Sequence, residues 1–240
     1  MKTTSKRVVV GTVSSVAIVI AWSWYTFAAA RDSVGVEQEM AALESIVGAT
    51  EHDIERIDDQ DAIENLIGAY GYYLDKLQWD QLADLFAEDG SIELGQRGVY
   101  VGKKRIRESL ELFGPQGPRY GWLNNHIQLQ PIVDVADDGL SAKIRSRALI
   151  QLGQYGGQGN WGEGVYENEA VKENGVWKFK AVHFFNTFAT DYDKGWAKSA
   201  LDIPVVSDKL PPDQPPTVVY KQYPTAYTPP FHYKNPVTGR

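Results

Sequence analysis

The stretch that decides the fold is HIQLQPIVDVADDGLSAKIRSRALIQL, residues 126–152, in which apolar and polar residues alternate on both sides of a polar break. Alternation with a period of two predicts half-buried β-strands, here His126 to Val135 and Ser141 to Leu152. The break, Asp137-Asp138-Gly139, has the composition of a tight turn between strands. The stretch therefore predicts an antiparallel hairpin.

The sequence on either side extends this pattern. Towards the C-terminus, strands are predicted from Gly164 to Lys172 and from Val176 to Phe185, joined by a turn at Glu173-Asn174-Gly175. Towards the N-terminus, apolar residues recur every three or four positions from Ile63 to Leu77, which predicts a helix with Asp61 as its N-cap. Helices followed by a long antiparallel sheet predict an α+β fold.

Shorter elements are predicted between that helix and the sheet. They are a helix from Trp79 to Phe86, a turn at Glu88-Asp89-Gly90, strands at Ser91–Leu94 and Val99–Val101, and a helix from Lys103 to Phe113.

The N-terminal segment, residues 1–30, has the pattern of an export signal. Lys2, Lys6 and Arg7 precede an uncharged run from Val8 to Ala30 that ends in small residues. The run is also long enough to span a bilayer as an uncleaved anchor. Both readings predict that the folded part lies in the periplasm or is otherwise exported, with membrane contact only through this segment.

Two further segments flank the predicted domain. Residues 31–58 read as an amphipathic helical lead-in on an acidic background, interrupted at Gly48, which we expect to pack on a partner subunit or on the domain. Residues 191–240 hold nine of the twelve prolines together with several tyrosines, which predicts an extended tail that wraps over the domain or a neighbouring subunit.

Composition narrows the function classes. The chain has 24 Lys and Arg against 31 Asp and Glu, a net charge of −7, which disfavours nucleic acid as a partner. It has no cysteine, and its four histidines have no metal-ligand spacing, so no metal is predicted. Gly157–Gly162 matches GxGxxG but lies between two predicted strands, so no dinucleotide cofactor is predicted either. Seven Trp, thirteen Tyr and eight Phe suit a pocket for a small aromatic or apolar substrate.

A small set of side chains has acid/base character. Tyr70 and Asp75 flank the end of the predicted helix about 140° apart, and His126 begins the first long strand. Taken by themselves, these residues are equally consistent with a core tyrosine, a capping aspartate and a hydrogen-bonded histidine.

Residues 59–190 resemble a known family in their ordered motifs, which are Ile63-x-x-Leu66-x-x-x-Tyr70-x-x-x-Leu74-Asp75, Trp79-Asp80-x-Leu82-Ala83-x-Leu85-Phe86-x-x-Asp89-Gly90, Asn125-His126, Gly164-x-Tyr166 and Gly175-x-Trp177-x-Phe179. This set resembles the SnoaL-like branch of the nuclear transport factor 2-like superfamily. The resemblance implies a cone-shaped barrel of curved antiparallel sheet packed on N-terminal helices, with an apolar pocket between them, in homodimers or homotrimers.

The resemblance also implies roles for individual residues. In the dehydratases of this superfamily a helix Tyr, an Asp five residues later and a strand His act together, which corresponds to Tyr70, Asp75 and His126. Overall similarity is greatest to the cofactor-free lignin-dimer γ-formaldehyde lyases, which implies loss of a benzylic hydroxyl and of formaldehyde from a phenolic diaryl compound to give a stilbene. For such a substrate we expect Arg147 to stabilise the phenolate, His183 to accept the γ-hydroxyl proton, and Tyr166, Trp122 and Trp161 to contact the rings.

Two alternatives follow from the same resemblance. One is a dehydratase or isomerase of a steroid- or polyketide-like substrate, and the other is a non-catalytic module that binds aromatic ligands.

Overall fold

The structure is a computed structural model that describes the backbone of residues 13–240 and the side chains of residues 35–240. The chain divides into two compact units, one ending at Glu55 and the other comprising Arg56–Arg240. The predicted signal or anchor, residues 1–30, lies outside the described side chains. Along residues 35–240, no helix is both long and apolar enough to cross a membrane.

The first element is one continuous helix, α1, Val13–Asp75. The expectation of two helices, divided near Gly48 with a new N-cap at Asp61, was therefore wrong. A single glycine inside a helix costs only about 1 kcal/mol relative to alanine, and no proline follows to end the helix. Thr50 illustrates how polar residues are accommodated, since its hydroxyl donates to the carbonyl of Ile46 one turn earlier at 2.8 Å.

Helix α1 ends in a turn that uses a leucine where glycine is usual. Leu77 has φ of 52°, in the left-handed region, and its N–H bonds the carbonyl of Leu74 at 3.2 Å, while the N–H of Gln78 bonds that of Tyr73 at 2.9 Å. This pair of bonds is a Schellman motif, which caps the last carbonyls of a helix. The Leu77 side chain is buried, and this burial offsets the strained backbone.

Two short helices follow, α2 (Trp79–Asp84) and α3 (Lys103–Leu110), and a 3-10 turn over Glu111–Phe113 extends α3. They match the predicted helices except at their C-terminal ends.

Six strands form one curved sheet. They are β1 (Phe86–Leu94), β2 (Val99–Val101), β3 (Trp122–Val135), β4 (Ser141–Gln154), β5 (Gly159–Glu173) and β6 (Val176–Asp191). Their order is β2-β1-β6-β5-β4-β3. Every neighbouring pair is antiparallel except β1 and β6, which are parallel, so the sheet is mixed rather than wholly antiparallel. The α+β prediction, with helices at the N-terminus packed on a curved sheet, is confirmed.

The predicted turns had different outcomes. Asn174 and Gly175 have φ of 52° and 78°, the two positive angles of a tight hairpin turn between β5 and β6. The turn predicted at Glu88-Asp89-Gly90 was wrong, because these residues lie inside β1. The pairing of β1 with β6 shifts register between Phe86 and Ser91, so the residues that suggested a turn form an irregularity in the strand.

The sheet has two differently covered faces. Its inner face packs on the last turns of α1, and their shared core includes Ile63, Tyr70, Ile144, Tyr166 and Phe179. The tail after Asp191 has no long helix or strand and runs along the domain. Within it, Tyr220 is buried and its hydroxyl accepts the backbone N–H of Asn186, while Thr217 donates two hydrogen bonds to Glu93.

Candidate active site

The candidate site is centred on a carboxylate at the end of α1 and an imidazole on β3. Asp75 is the last residue of the helix, and its Oδ1 accepts the backbone N–H of His126 at 2.6 Å. The same oxygen lies 3.2 Å from Nδ1 of the His126 ring. The two side chains are 14% and 10% exposed, so they are largely shielded from bulk water without being sealed off. The two residues predicted to act together are thus in contact.

The close approach of α1 to β3 depends on a glycine. A Cβ built on Gly71, one turn before Asp75, would lie 2.9 Å from Cγ of Gln128 and 3.3 Å from the carbonyl oxygen of His126. Beyond it, the Asn124 side chain donates to the carbonyl of Leu74 at 2.8 Å. The missing side chain and this hydrogen bond hold the helix end against the strand, which brings the Asp75 carboxylate to the imidazole.

Tyr70 and Tyr166 lie side by side on the inner face. Their rings meet edge to face with centroids 5.7 Å apart, and Tyr70 makes a similar contact with Phe179. Burial raises the pKa of Tyr70 well above its usual value, and the neighbouring Tyr166 adds to the rise. Burial also raises the pKa of Tyr166, and the charge on Asp75 raises it further. Both phenols therefore remain protonated at neutral pH.

The Tyr70 hydroxyl has no hydrogen-bond partner among residues 35–240, although it is fully buried. A buried hydroxyl without a partner is costly, so such a group in a folded domain commonly has a bound ligand or water as its partner. The 140° between Tyr70 and Asp75 on the helix is accommodated because the sheet curves around the helix. Tyr70 meets β5 while Asp75 meets β3.

The geometry fixes what the imidazole can do. A carboxylate oxygen only accepts hydrogen bonds, so the contact with Asp75 places the ring proton of a neutral His126 on Nδ1. Nε2 then carries the free lone pair and is the atom that accepts a proton. When it does so, the adjacent carboxylate stabilises the imidazolium that forms.

Two of the predicted ring-binding residues line a separate cavity at the end of the sheet. Trp122 and Trp161 border a space of about 560 Å³ together with Tyr192, whose ring stacks on that of Trp161 with centroids 6.0 Å apart. Asp75 and His126 are not among the residues that line it. Trp122 lies four residues before His126 on β3, which is about 13 Å along an extended strand. Tyr166, the third predicted ring contact, lies with Tyr70 instead.

Arg147 and His183 do not join the pair, which corrects the expectation that both contact substrate there. Alternate residues of a strand point to opposite faces, and both side chains lie on the outer face. Arg147 is exposed and lies 3.7 Å from Glu163, beside Phe231 and Tyr233 of the tail.

His183 is half-covered on the same outer face. Its ring stacks on Phe185 with centroids 3.8 Å apart, and its Nε2 lies 3.5 Å from Oε2 of Glu93. Burial lowers its pKa to about 4. A neutral imidazole packed between an aromatic ring and a carboxylate has a structural role on this face.

Sequence reasoning missed Gly71 and Tyr192. A glycine on the apolar face of a helix is a signal of close approach, and it was available at Gly71. Nothing in the sequence indicated that Tyr192, just beyond β6, would stack on Trp161. Within residues 35–240 no three His, Asp or Glu side chains are grouped closely enough to hold a metal ion.

The fold is an α+β cone of the nuclear transport factor 2-like superfamily. The model of the SnoaL-like domain family matches residues 55–183, more than half of the chain, and the chain belongs to this family. No curated protein matches the chain in sequence.

Solved structures share the fold. A protein of Novosphingobium aromaticivorans, provisionally assigned as a scytalone dehydratase, is 26% identical with a TM-score of 0.50, over 58% of this chain and 91% of that chain. A type 2 hexachlorocyclohexane dehydrochlorinase, LinA, is 22% identical with a TM-score of 0.51, over 58% and 92% of the two chains. The type 3 enzyme of Novosphingobium barchaimii is 20% identical with a TM-score of 0.51, over 58% and 93%.

Proposed function

We propose that this protein is a lyase that uses His126 and Asp75 for general acid/base elimination on a small aromatic or apolar substrate, without a cofactor. The observation that carries the proposal is the contact of Asp75 Oδ1 with Nδ1 and the backbone N–H of His126, in a largely buried position. Because the aspartate accepts a hydrogen bond from Nδ1, the orientation of the ring is fixed and Nε2 is free to act as the base. General acid/base catalysis of this kind accelerates a reaction by about 10² to 10⁴.

The elimination needs one proton to be taken and one to be given. Nε2 removes a proton from the carbon next to the one that bears the leaving hydroxyl, and the electrons of that C–H bond form the C=C bond. The C–O bond breaks, and the departing oxygen takes the proton back from the imidazolium, so that water leaves. The unpartnered hydroxyl of Tyr70 supplies a hydrogen bond to the oxygen of the substrate.

Similarity supports an elimination. The 26% identical relative is provisionally assigned to the dehydratases, which eliminate water, and the dehydrochlorinases that share the fold are named for the loss of HCl. Because the latter are below 25% identity, they contribute only the fold. The dehydratase likeness favours a hydroxylated aromatic substrate, and a steroid- or polyketide-like substrate is the corresponding alternative.

A second candidate substrate is a lignin-derived phenolic diaryl compound with a benzylic hydroxyl and a neighbouring CH₂OH group. The support for this substrate is the sequence resemblance, because the aromatic cavity of about 560 Å³ at Trp122 and Trp161 is not lined by Asp75 or His126. Here the phenol loses its O–H proton to solvent and supplies electrons, the protonated His126 gives its proton to the benzylic hydroxyl, water leaves, and a quinone methide forms. Nε2 then takes the proton of the CH₂OH group, the C–C bond breaks, and formaldehyde leaves as the electrons reach the quinone methide oxygen, which takes a proton from solvent to give the phenol of a stilbene. One imidazole performs both transfers, so the reaction does not require His183.

The test incubates the purified full chain with a phenolic 1,2-diarylpropane-1,3-diol and, separately, with hydroxylated polyketide-like and steroid substrates. Formaldehyde release with stilbene absorbance supports the lignin-dimer reaction, and loss of water alone supports a dehydratase. Either activity should fall by about a hundredfold or more in Asp75→Asn. Binding of the aromatic compounds without any turnover would overturn the enzymatic proposal and leave a ligand-binding module.

We further propose that the protein is exported and forms a homodimer or homotrimer. Fractionation of cells that express the full chain tests the first point, and light scattering of the purified protein tests the second. Recovery from the cytoplasm, or the mass of a single chain, would contradict them.

A further inference from the structure

Helix α1 presents an exposed apolar row within the unit that ends at Glu55. We call it the heptad stripe, and it consists of Val36, Met40, Leu43, Val47, Thr50 and Ile54. The spacings between successive members are four, three, four, three and four, which is the repeat of a coiled-coil seam. The five apolar members are between 52% and 59% exposed. Among residues 35–240 nothing covers this row, and it is therefore a seam that is open to a partner.

The residue types of the stripe specify how a second helix would pack on it. In heptad notation Met40, Val47 and Ile54 occupy the a positions, and Val36, Leu43 and Thr50 occupy the d positions. Two of the three a residues are β-branched and one of the three d residues is leucine. β-branched residues at a with leucine at d favour two-stranded parallel pairing. Thr50 fits the seam because its hydroxyl is already bonded to the carbonyl of Ile46, which leaves its methyl group to face a partner.

The flanks of the stripe are acidic. The e positions are Glu37, Glu44 and Glu51, two of the three g positions are Glu39 and Asp53, and there is no Lys or Arg from Val36 to Glu55. In a parallel pair the g residue of one helix faces the e residue of the next heptad of the other, so a second copy would place Glu39 against Glu44. Antiparallel self-pairing would place e against e and g against g. Like charges meet in both arrangements, which destabilises self-pairing.

We propose that the heptad stripe binds one helix of a different protein, with apolar residues at a and d and with Lys or Arg at e and g. Only a basic partner places opposite charges along both edges of the seam while it covers the apolar row. The same acidic flanks oppose adsorption of the stripe to an anionic lipid surface.

The test measures binding of the purified full chain, in a mild non-ionic detergent, to two synthetic helices of about four heptads that differ only in their flanks. Both carry Ile at a and Leu at d, one has Lys at e and g, and the other has Glu there. We expect the Lys helix to bind about tenfold or more tightly than the Glu helix at low salt, and the difference to shrink as salt screens the flanks. Equal affinity for the two helices, or no binding of either, would overturn the proposal.

Variants make the test specific for the stripe. Leu43→Gln with Val47→Gln should abolish binding of the Lys helix, while Ala42→Gln with Ala49→Gln, off the seam on the same helix, should retain it. Glu44→Lys with Glu51→Lys should shift the preference towards the Glu helix. The last measurement is the mass of the chain by sedimentation, without a synthetic helix. A loss of assembled mass in the Leu43→Gln, Val47→Gln variant, but not in the alanine-site control, would show that a second copy covers the stripe and would overturn the proposal.

Discussion

Two histidine–carboxylate pairs lie on opposite faces of the sheet, Asp75–His126 and Glu93–His183, and the comparison between them contrasts the proposed catalytic arrangement with a structural one. On the inner face Asp75 Oδ1 contacts Nδ1 of His126 at 3.2 Å and leaves Nε2 free. On the outer face Glu93 Oε2 lies 3.5 Å from Nε2 of His183, and that nitrogen is buried without a hydrogen bond among the described residues. Both pairs join an imidazole to a carboxylate, but the carboxylate faces Nδ1 of His126 in one pair and Nε2 of His183 in the other.

The two rings also have different neighbours. The His183 ring is stacked on Phe185, which in turn packs against Tyr220 and Tyr227 of the tail. Burial lowers its pKa to about 4, so this ring resists protonation near neutral pH. A ring whose protonated form the fold disfavours is poorly suited to donate a proton near neutral pH. This supports the proposal that His126, and not His183, transfers the proton.

Substitution of Asp75 or His126 should have the largest effect, and this effect is on turnover. Asp75→Asn and His126→Gln should each lower kcat by about a hundredfold or more, because each removes the general acid/base or the group that holds it. His183→Gln is the matched control and should keep kcat within about twofold. The measurement is steady-state turnover of the substrate that the incubation test identifies, with circular dichroism to verify the fold. Near-normal kcat in both inner variants would refute the assignment.

Gly71→Ala should have the next largest effect, a fall in kcat of about tenfold. The added Cβ meets Cγ of Gln128 at 2.9 Å and the His126 carbonyl at 3.3 Å, so the end of the helix must move away from β3 and the Asp75–His126 contact must lengthen. Gly68→Ala on the same helix meets nothing within 4 Å and should instead stabilise the fold by about 1 kcal/mol. Steady-state kinetics and thermal unfolding check both variants, and equal kcat in the two would contradict the role of close approach.

The His183–Glu93 pair should affect how the free energy of unfolding depends on pH. His183 has a folded-state pKa of about 4, below its usual 6.5, so the folded state binds a proton less readily than the unfolded state. The contribution of His183 to the free energy of unfolding is complete above about pH 6.5. It is lost as the pH falls towards 4, a change of up to about 3 kcal/mol. Burial raises the pKa of Glu93, and protonation of this carboxyl acts in the opposite direction.

The measurement is urea unfolding of the wild type and of His183→Gln at pH 7 and at pH 4.5. We expect the wild type to lose more free energy of unfolding on acidification than the variant does. If both lose the same amount, His183 does not titrate as the burial implies.

The smallest expected effect concerns the tail on the outer face. The guanidinium of Arg145 lies 3.9 Å from the centre of the Phe231 ring and is paired with Glu167, which also lies 3.0 Å from Nε2 of His232. Phe231→Ala should lower the free energy of unfolding by about 1 kcal/mol. Chemical denaturation measures this, and kcat should not change. A large fall in kcat with unaltered stability would place the tail in the reaction instead.

Local sequence patterns predicted much of this architecture, because the alternation in β3 to β6 and the Asn174-Gly175 turn depend only on residues that are close in sequence. The continuity of α1 through Gly48 was not predictable in this way, since one glycine is too weak a signal to distinguish a break from a tolerated cost. The strand that runs through Glu88-Asp89-Gly90 was missed because β1 pairs with β6 on either side of these residues, at Phe86 and from Ser91 to Leu94, and such long-range pairing is not visible in a local turn signal.

The candidate site was predictable only in part. The family resemblance predicted that Asp75 and His126 act together. Their contact depends on Gly71, and the sequence did not indicate that this glycine lies against β3. Arg147 and His183 were placed with them although they lie on the other face. Strand parity alone assigns residues to two faces but does not say which face is inside, and β6 also changes register against β5 at Glu169 and Ala170.

The most direct test of the central claim is a crystal structure of the full chain with a non-reactive two-ring phenolic analogue of the substrate. The account predicts that the oxygen or carbon of the ligand that reacts lies within about 3.5 Å of Nε2 of His126, or one water away, with Tyr70 donating to the ligand. A ligand bound only in the cavity of Trp122 and Trp161, with nothing at His126, would contradict it.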